Sequence, residues 1–278
     1  MRTLRFLLLP LLAAMLTPWP ALSQTAPQRP ALPGIIGADD RRPFEPDVWP
    51  YTAIGRVNRE AGGFCTGTLV APRLVLTAAH CLLHPRTRLF VPAHTLHFVA
   101  GYRRGEFAVH ARGVSYEVGP GYRPGRGASL ATVTHDWALL VLDAPVALRP
   151  VPVRPLSPAA VEAALGRHTL SRIGYGQDRA HLPMRAAGCG LTGIGSGIAT
   201  AQGRADPDLW LHDCDAVPGD SGSAILSGSG DDLAVVAVQV AVTNAGYNAA
   251  VSAAAFAQAL ARLSDAGGGL PPPPAAPR

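Results

Sequence analysis

Short apolar stretches separated by glycine and proline run through most of this chain, and they constrain its fold more than any other feature. The 278 residues include 30 glycines and 27 prolines. The apolar stretches are rich in Val, Leu and Ala, and their length and punctuation are typical of strands rather than helices. We assign strands to residues 74–77, 96–101, 109–118, 169–175 and 233–242. The pattern predicts an all-β fold.

One segment near the end departs from this pattern. In residues 252–263, Phe256, Leu260 and Leu263 are spaced as on one face of a helix, so we predict a short C-terminal helix. The Gly- and Pro-rich residues 265–278 that follow have the composition of a flexible tail.

The first 23 residues have the features of a secretory signal peptide. Arg2 and Arg5 give a basic start, residues 6–16 an apolar centre, and residues 21–23 a small-residue cleavage site. A membrane anchor is the alternative, but the apolar centre is far shorter than the roughly 20 residues needed to span a bilayer. We therefore expect a protein that is secreted or periplasmic and not in a membrane after cleavage.

The positive charge does not indicate nucleic-acid binding. The formal net charge is +5, and every basic residue other than histidine is arginine. The arginines are scattered, with small groups only at 41–42 and 103–104, whereas a nucleic-acid site needs clustered basic residues interleaved with aromatics. We expect a solvated basic surface and no nucleic-acid partner.

Three separated segments carry the residue types of nucleophilic catalysis. His80 ends the run Thr-Ala-Ala-His, Asp136 opens the run Asp-Trp-Ala-Leu-Leu, and Ser221 stands in Gly-Asp-Ser-Gly, 141 residues after His80. A serine hydroxyl is a weak nucleophile, so it needs a histidine as base and a carboxylate to orient that histidine. The order His, Asp, Ser differs from that of subtilisin-like enzymes and of α/β-hydrolases, and the Gly-x-Ser-x-Gly elbow of esterases is missing around Ser221.

These motifs resemble those of the chymotrypsin-fold, trypsin-like serine proteases, in particular the secreted bacterial branch that includes glutamyl endopeptidases. The resemblance covers roughly residues 35 to 263 and rests on the segments 64–70, 77–81, 136–140 and 219–223. It implies two six-stranded antiparallel β-barrels, 35–150 and 151–264, with the active site in the cleft between them and a short C-terminal helix.

The resemblance also implies roles for individual residues. Ser221 would attack the substrate carbonyl, His80 would transfer its proton, Asp136 would orient His80, and the backbone N–H groups of Gly219 and Ser221 would form an oxyanion hole. The expected function is that of a secreted, monomeric serine endopeptidase acting on proteins or peptides through an acyl-enzyme, without cofactor.

Other interpretations remain open at this point. His80 can be a buried structural histidine and Asp136 a capping carboxylate, in which case the protein is a catalytically silent binding module. His94 and His97 form an HxxH pair without a third ligand, so we predict no metal site from them, while a structural calcium ion stays open.

The resemblance further implies two disulfides. Cys65 and Cys81 have the 16-residue separation of the family bridge that ties the histidine loop to the preceding strand, and Cys189 with Cys214 makes the second pair. The alternative for four cysteines is a metal site, but the chain has no CxxC pair.

Activation and specificity follow less directly. In trypsin-like relatives, the acid before the serine, here Asp220, pairs with an N-terminal amine that is freed by cleavage. Ile35 matches the residue that carries this amine. Residues 24–34 therefore form a candidate propeptide of a zymogen. Asp215 matches the floor of the specificity pocket, which predicts Arg or Lys before the scissile bond. Gln239 and Ala241 differ from the corresponding wall of trypsin, so small, apolar or Glu side chains remain alternatives.

Overall fold

The computed structural model describes residues 32–124, 132–195 and 206–265. The predicted signal peptide, residues 24–31 of the candidate propeptide and residues 266–278 of the predicted tail lie outside the described residues. In the part of the chain that is described, no helix is long and apolar enough to cross a membrane.

Strands are the predominant secondary structure of the described chain, as the short apolar stretches predict. In chain order the elements are β1 (Arg42–Pro43), β2 (Ile54–Arg59), β3 (Phe64–Ala71), β4 (Leu74–Thr77), β5 (Leu96–Ala100), β6 (Val109–Val118), β7 (Ala138–Leu142), α1 (Pro158–Ala164), β8 (Leu170–Gly174), β9 (Met184–Cys189), β10 (Leu191–Ile194), β11 (Leu209–His212), β12 (Ala224–Ser227), β13 (Ala234–Ala241), β14 (Asn248–Ser252) and α2 (Ala254–Asp265).

The first half of the chain forms a closed six-stranded barrel, as predicted. The strand order is β2-β3-β4-β7-β6-β5, and every pair is antiparallel. Strand β7 is buried along its whole length, and the side chains of β4 are likewise buried. These two apolar strands therefore lie in the core of the barrel. His80 comes shortly after the end of β4, and Asp136 comes shortly before the start of β7.

The second half forms a curled antiparallel sheet rather than a six-stranded barrel of the same kind. Its strand order is β1-β9-β8-β12-β13-β14-β11-β10, so it has eight strands where six were predicted. One of the additional strands is the two-residue β1, which comes from the N-terminal part of the chain and pairs with β9. The predicted architecture is otherwise confirmed, while the domain boundary at 150/151 stays a prediction.

The C-terminal helix is confirmed as α2. Phe256 and Leu263 are buried, and Phe256 packs against Trp137 with ring centroids 6.1 Å apart. The sequence analysis missed α1, whose N-cap Ser157 accepts a hydrogen bond from Ala160 N–H at 3.2 Å. That helix has seven residues, too few for a periodic apolar pattern to stand out.

Both predicted disulfides are present. Cys65 of β3 is bonded to Cys81, next to His80, and Cys189 at the end of β9 is bonded to Cys214. The first bridge ties the histidine segment to a core strand. The second closes a loop of a size that stabilises a fold by about 3 kcal/mol in the chain-entropy model.

Candidate active site

His80 and Asp136 form a close, doubly bonded pair. His80 lies in the turn Ala79–Leu82 that follows β4, and Asp136 follows the turn Val133–His135 before β7. The Nδ1 atom of His80 is 2.7 Å from Asp136 Oδ2, and the backbone N–H of His80 donates to Asp136 Oδ1 at 2.9 Å. Since a carboxylate only accepts, the proton of the neutral ring is on Nδ1, and Nε2 is left as a base.

Ser221 lies in the loop between β11 and β12, and this loop packs on the strands that lead to His80. The carbonyl oxygen of Ser221 accepts from Thr66 N–H at 2.9 Å and is 3.7 Å from the Sγ of Cys81. Gly222 has φ +82°, and a Cβ there would be 2.2 Å from the Thr66 oxygen. The loop therefore fits against β3 only because residue 222 is glycine.

Thr66 is a residue whose role the sequence analysis missed. Its hydroxyl donates to the carbonyl oxygen of Gly219 at 3.2 Å and accepts from Tyr175 N–H at 2.9 Å. Thr66 thus connects the serine loop of the second sheet to a core strand of the first barrel. It falls within one of the motifs that carry the family resemblance, but its local sequence does not reveal these distant partners.

Gly219 adopts a backbone conformation that the loop requires. Its φ is +100°, and a Cβ would be 2.8 Å from both the Gln177 nitrogen and the Tyr175 oxygen. Any other residue there would be strained and crowded. Gly219 thereby lets the chain turn immediately before Asp220.

Asp220 is fully buried and paired with Arg172. Arg172 Nη1 is 2.5 Å from Asp220 Oδ1, and both side chains are completely inaccessible to solvent. The second oxygen accepts from Val217 N–H at 2.9 Å, and Arg41 Nη1 is 4.0 Å away. Burial raises the pKa of Asp220, and the charge of Arg172 opposes this rise.

Arg172 was not among the predicted site residues. It stands in the middle of β8, in the run Leu-Ser-Arg-Ile-Gly, and its Nε also donates to the backbone oxygen of Asp215 at 2.7 Å. An arginine in the middle of a predicted strand was the signal that could have found it, because a charge buried in a sheet needs a partner.

The structure does not bring Ile35 to Asp220. Ile35 N–H donates to the carbonyl oxygen of Leu32 at 3.1 Å, and the cations beside Asp220 are Arg172 and, farther away, Arg41. The described chain is continuous through residue 35, so pairing of a freed amine with Asp220 stays a prediction.

The three predicted pocket residues lie on two neighbouring segments of the second sheet. The Asp215 carboxylate is 3% exposed and accepts from Ile36 N–H at 2.7 Å and from Asp40 N–H at 3.1 Å. Burial raises the pKa of Asp215, and these two hydrogen bonds lower it. The Gln239 side chain folds back, with Nε2 donating to the Ala241 oxygen at 2.7 Å.

A cleft of about 150 Å³ opens beside the His80–Asp136 pair. Val240 of β13 lines it together with Tyr122 and Val133 of the first half, so its walls come from both sheets. It lies next to the imidazole, where a substrate residue could be received.

The histidines of the HxxH pair do not converge. His97 is on β5, where its ring contacts His110 at 2.9 Å and Glu60 at 3.0 Å, whereas His94 lies in the preceding turn. Among the described residues, potential metal-ligand atoms lie close together at Cys65, His80 and Cys81. Both cysteines are bonded to each other in a disulfide, so they have no thiolate to offer a metal ion.

Curated proteins resemble this chain over part of its length. Among curated relatives, a glutamyl endopeptidase of Bacillus licheniformis is 27% identical over 119 residues, and coagulation factor IX of Cavia porcellus is 29% identical over 117 residues. These alignments cover 42% and 41% of this chain but only 34% and 35% of the relatives, so the chain is matched to about a third of their length.

Solved structures resemble the chain over a larger part. A Glu endopeptidase structure has a TM-score of 0.65 and 24% identity, covering 83% of this chain and 99% of the other. The Vibrio cholerae VesB protease has a TM-score of 0.61 and 18% identity, covering 81% of this chain and 67% of the other. At these identities the likeness supports the fold. The family model of trypsin matches residues 40–266, and the chain therefore belongs to the trypsin family.

Proposed function

We propose that this protein is a serine endopeptidase that hydrolyses peptide bonds with His80, Asp136 and Ser221. The observation that carries the proposal is the doubly hydrogen-bonded His80–Asp136 pair, with the Ser221 loop packed beside it. Membership of the trypsin family supports the same reaction class.

The chemistry proceeds in two steps. In the first, the Ser221 hydroxyl attacks the carbonyl carbon while His80 Nε2 accepts its proton, and the protonated ring then gives the proton to the leaving amine. In the second, water attacks the resulting ester while His80 Nε2 takes a proton from it, and the protonated ring then returns that proton to the Ser221 oxygen as the C–O bond of the ester breaks and the acid product leaves. Asp136 holds the ring in the required tautomer, because Nδ1–H donates to its carboxylate.

The hydrogen bonds of the serine loop support an oxyanion hole at Gly219 and Ser221. The N–H groups of the adjoining residues are used: Asp220 N–H donates to the Val217 oxygen, Gly222 N–H to the Gln239 oxygen and Ser223 N–H to the Asp220 oxygen. Within the described residues, the N–H groups of 219 and 221 have no such acceptor. Two free amide donors beside the nucleophile are what the anionic intermediate requires.

Arg172 supports this loop without a free N-terminal amine. Its buried pair with Asp220 ties the centre of the loop to β8, one residue before the nucleophile. We infer that this contact holds the N–H donors of residues 219 and 221 in position. If the candidate propeptide were removed, the freed N-terminal amine would be a further cation beside Asp220 and not the first one.

Substrate, location and assembly are further parts of the proposal. The substrates are proteins or peptides, and the enzyme is a secreted, cofactor-free monomer. For the residue before the scissile bond, Asp215 predicts Arg or Lys, while similarity to a protein named glutamyl endopeptidase suggests Glu.

The test combines a fluorophosphonate probe with a peptide-cleavage assay. The wild type and a Ser229→Ala control, changed at an exposed serine, should be labelled and should cleave peptides. Ser221→Ala should not be labelled, and its turnover should fall by about a millionfold. A folded wild type that neither reacts nor cleaves any peptide of a mixed library would contradict the proposal and favour the silent binding module.

A further inference from the structure

The chain just before β1 is bound into the second sheet beside the predicted specificity residues. We call residues 34–40 the N-terminal segment. At its start, Gly34 N–H donates to the Thr243 oxygen at 3.0 Å. The Gly34 oxygen accepts from Ala216 N–H at 3.0 Å and from Asn248 Nδ2 at 2.8 Å. Both polar groups of this buried residue are therefore paired with the sheet.

The fit at Gly34 leaves no free space. Its φ is +84°, and a Cβ there would be 2.2 Å from the Ala216 oxygen and 2.8 Å from the Val242 Cβ. Ala216 follows Asp215, and Val242 follows Ala241, so the N-terminal segment fills the gap between the two chain segments predicted to form the pocket walls.

The same segment binds and covers the carboxylate of Asp215. Ile36 N–H donates to one oxygen at 2.7 Å and Asp40 N–H to the other at 3.1 Å, leaving the residue 3% exposed. A substrate guanidinium needs both oxygens of a carboxylate in one plane for the strong bidentate pair. Each oxygen keeps a second lone pair, but Asp215 is only 3% exposed, so a substrate guanidinium could reach these lone pairs only if the N-terminal segment moved away.

The remaining wall is short and uncharged. Ala241 and Val242 both carry side chains, Val242 lies against Gly34, and the Gln239 amide is turned back on the Ala241 oxygen. An apolar wall closed at its end by Gly34 suits a small side chain.

We propose that the N-terminal segment determines primary specificity by withdrawing Asp215 from the substrate and filling the end of the pocket. The protease then cleaves after small, uncharged residues such as Ala, in preference to Arg, Lys or Glu. This inference rests on the proposed protease function and goes against the trypsin-like prediction made from Asp215 alone. It also requires that the active enzyme retain Gly34, so an active enzyme that begins at Ile35, after removal of residues 24–34, would overturn it.

The experiment compares peptides that differ only at the residue before the scissile bond, using active enzyme whose N-terminus has been sequenced. The wild type should have a kcat/KM for Ala at least about tenfold above that for Arg or Glu. In Asp215→Asn the ratio of Ala to Arg cleavage should change by less than about threefold, because the carboxylate does not touch substrate. Asp231→Asn, at an exposed carboxylate, is the charge control.

A second pair of variants tests the segment itself. Gly34→Ala collides with Ala216 and should displace the segment, releasing Asp215 and raising Arg cleavage relative to Ala by about tenfold. Gly37→Ala is the matched control, because Gly37 has φ +78° but nothing within 4 Å of a Cβ, so it introduces the backbone strain without the collision.

Fluorophosphonate labelling separates the two ways of failing. A wild type that is labelled but prefers Arg, and loses that preference in Asp215→Asn, overturns this inference and leaves the protease function intact. Labelled enzyme that prefers Glu overturns it as well. If nothing is labelled or cleaved, the protease function itself fails. If Gly34→Ala does not fold, the inference is tested by the wild-type kcat/KM values for Ala, Arg and Glu peptides and by the Ala-to-Arg ratio of Asp215→Asn.

Discussion

Replacing Arg172 by methionine should destabilise the fold and disable the serine loop. The substitution removes the 2.5 Å contact with Asp220 and the 2.7 Å hydrogen bond to the Asp215 oxygen, while keeping an unbranched side chain in the space. Breaking a buried pair by removing one partner costs about 3–5 kcal/mol, since the other charge is left in the interior. That is a large part of the roughly 5–15 kcal/mol that stabilises a domain.

The loss of stability in Arg172→Met should depend on pH, and the titration of Asp220 sets the direction of that dependence. Burial already raises the pKa of Asp220, and removal of Arg172 raises it further. A carboxyl with a raised pKa in the folded state binds its proton more tightly there than in the unfolded chain, so the fold gains stability as pH falls towards the unfolded pKa near 4. The variant should therefore lose less stability at pH 5 than at pH 8.

Urea unfolding at both pH values measures the free energy, and fluorophosphonate labelling measures the loop. We expect the labelling rate of Arg172→Met to fall by about 10²- to 10³-fold, the cost of losing an oxyanion donor. Arg149→Met, which changes an exposed arginine, is the control. The double variant Arg172→Met, Asp220→Asn should recover much of the stability but not the labelling rate. A loss below about 1 kcal/mol with unchanged labelling would refute the reasoning.

Three further predictions concern single features. Asp136→Asn should lower kcat by about 10⁴-fold with little change in KM, because the amide favours the wrong His80 tautomer; steady-state kinetics measure this, and an unchanged kcat would contradict it. Burial lowers the pKa of His212 to about 4, so His212 should contribute a loss of about 3 kcal/mol of stability between pH 6.5 and 4; urea titrations of His212→Gln should lack this contribution, and an unchanged pH dependence would contradict it. Replacing both Cys189 and Cys214 by serine should cost about 3 kcal/mol, seen as a lower Tm, whereas an equal Tm would mean that the bridge does not constrain the unfolded chain.

The sequence predicted best what depends on local pattern. Residues 74–77 and 109–118 are strands with the predicted limits. The first is a short apolar run that is buried in the sheet, and the second mixes apolar with polar residues along a strand that is partly exposed. The helix at the C-terminus was also predicted from a local pattern, the spacing of apolar residues along one helix face. Both disulfides followed from the family resemblance and were confirmed.

What could not be predicted depends on contacts between distant residues. The Asp215 carboxylate faces Ile36 and Asp40, and no local pattern around Asp215 distinguishes this position from a pocket floor. Thr66 likewise bonds to a residue 153 positions away. Such contacts are set by how the two sheets pack, and sequence periodicity carries no information on that packing.

The account depends most directly on Ser221 becoming covalently acylated. The measurement is intact-protein mass spectrometry after acid quenching of the enzyme mixed with an activated aryl ester, followed by peptide mapping of the adduct. We predict one acyl group per chain, located on Ser221, absent from Ser221→Ala, and formed far more slowly in His80→Ala. A folded wild type with no adduct, or with the acyl group on another residue, would contradict the account.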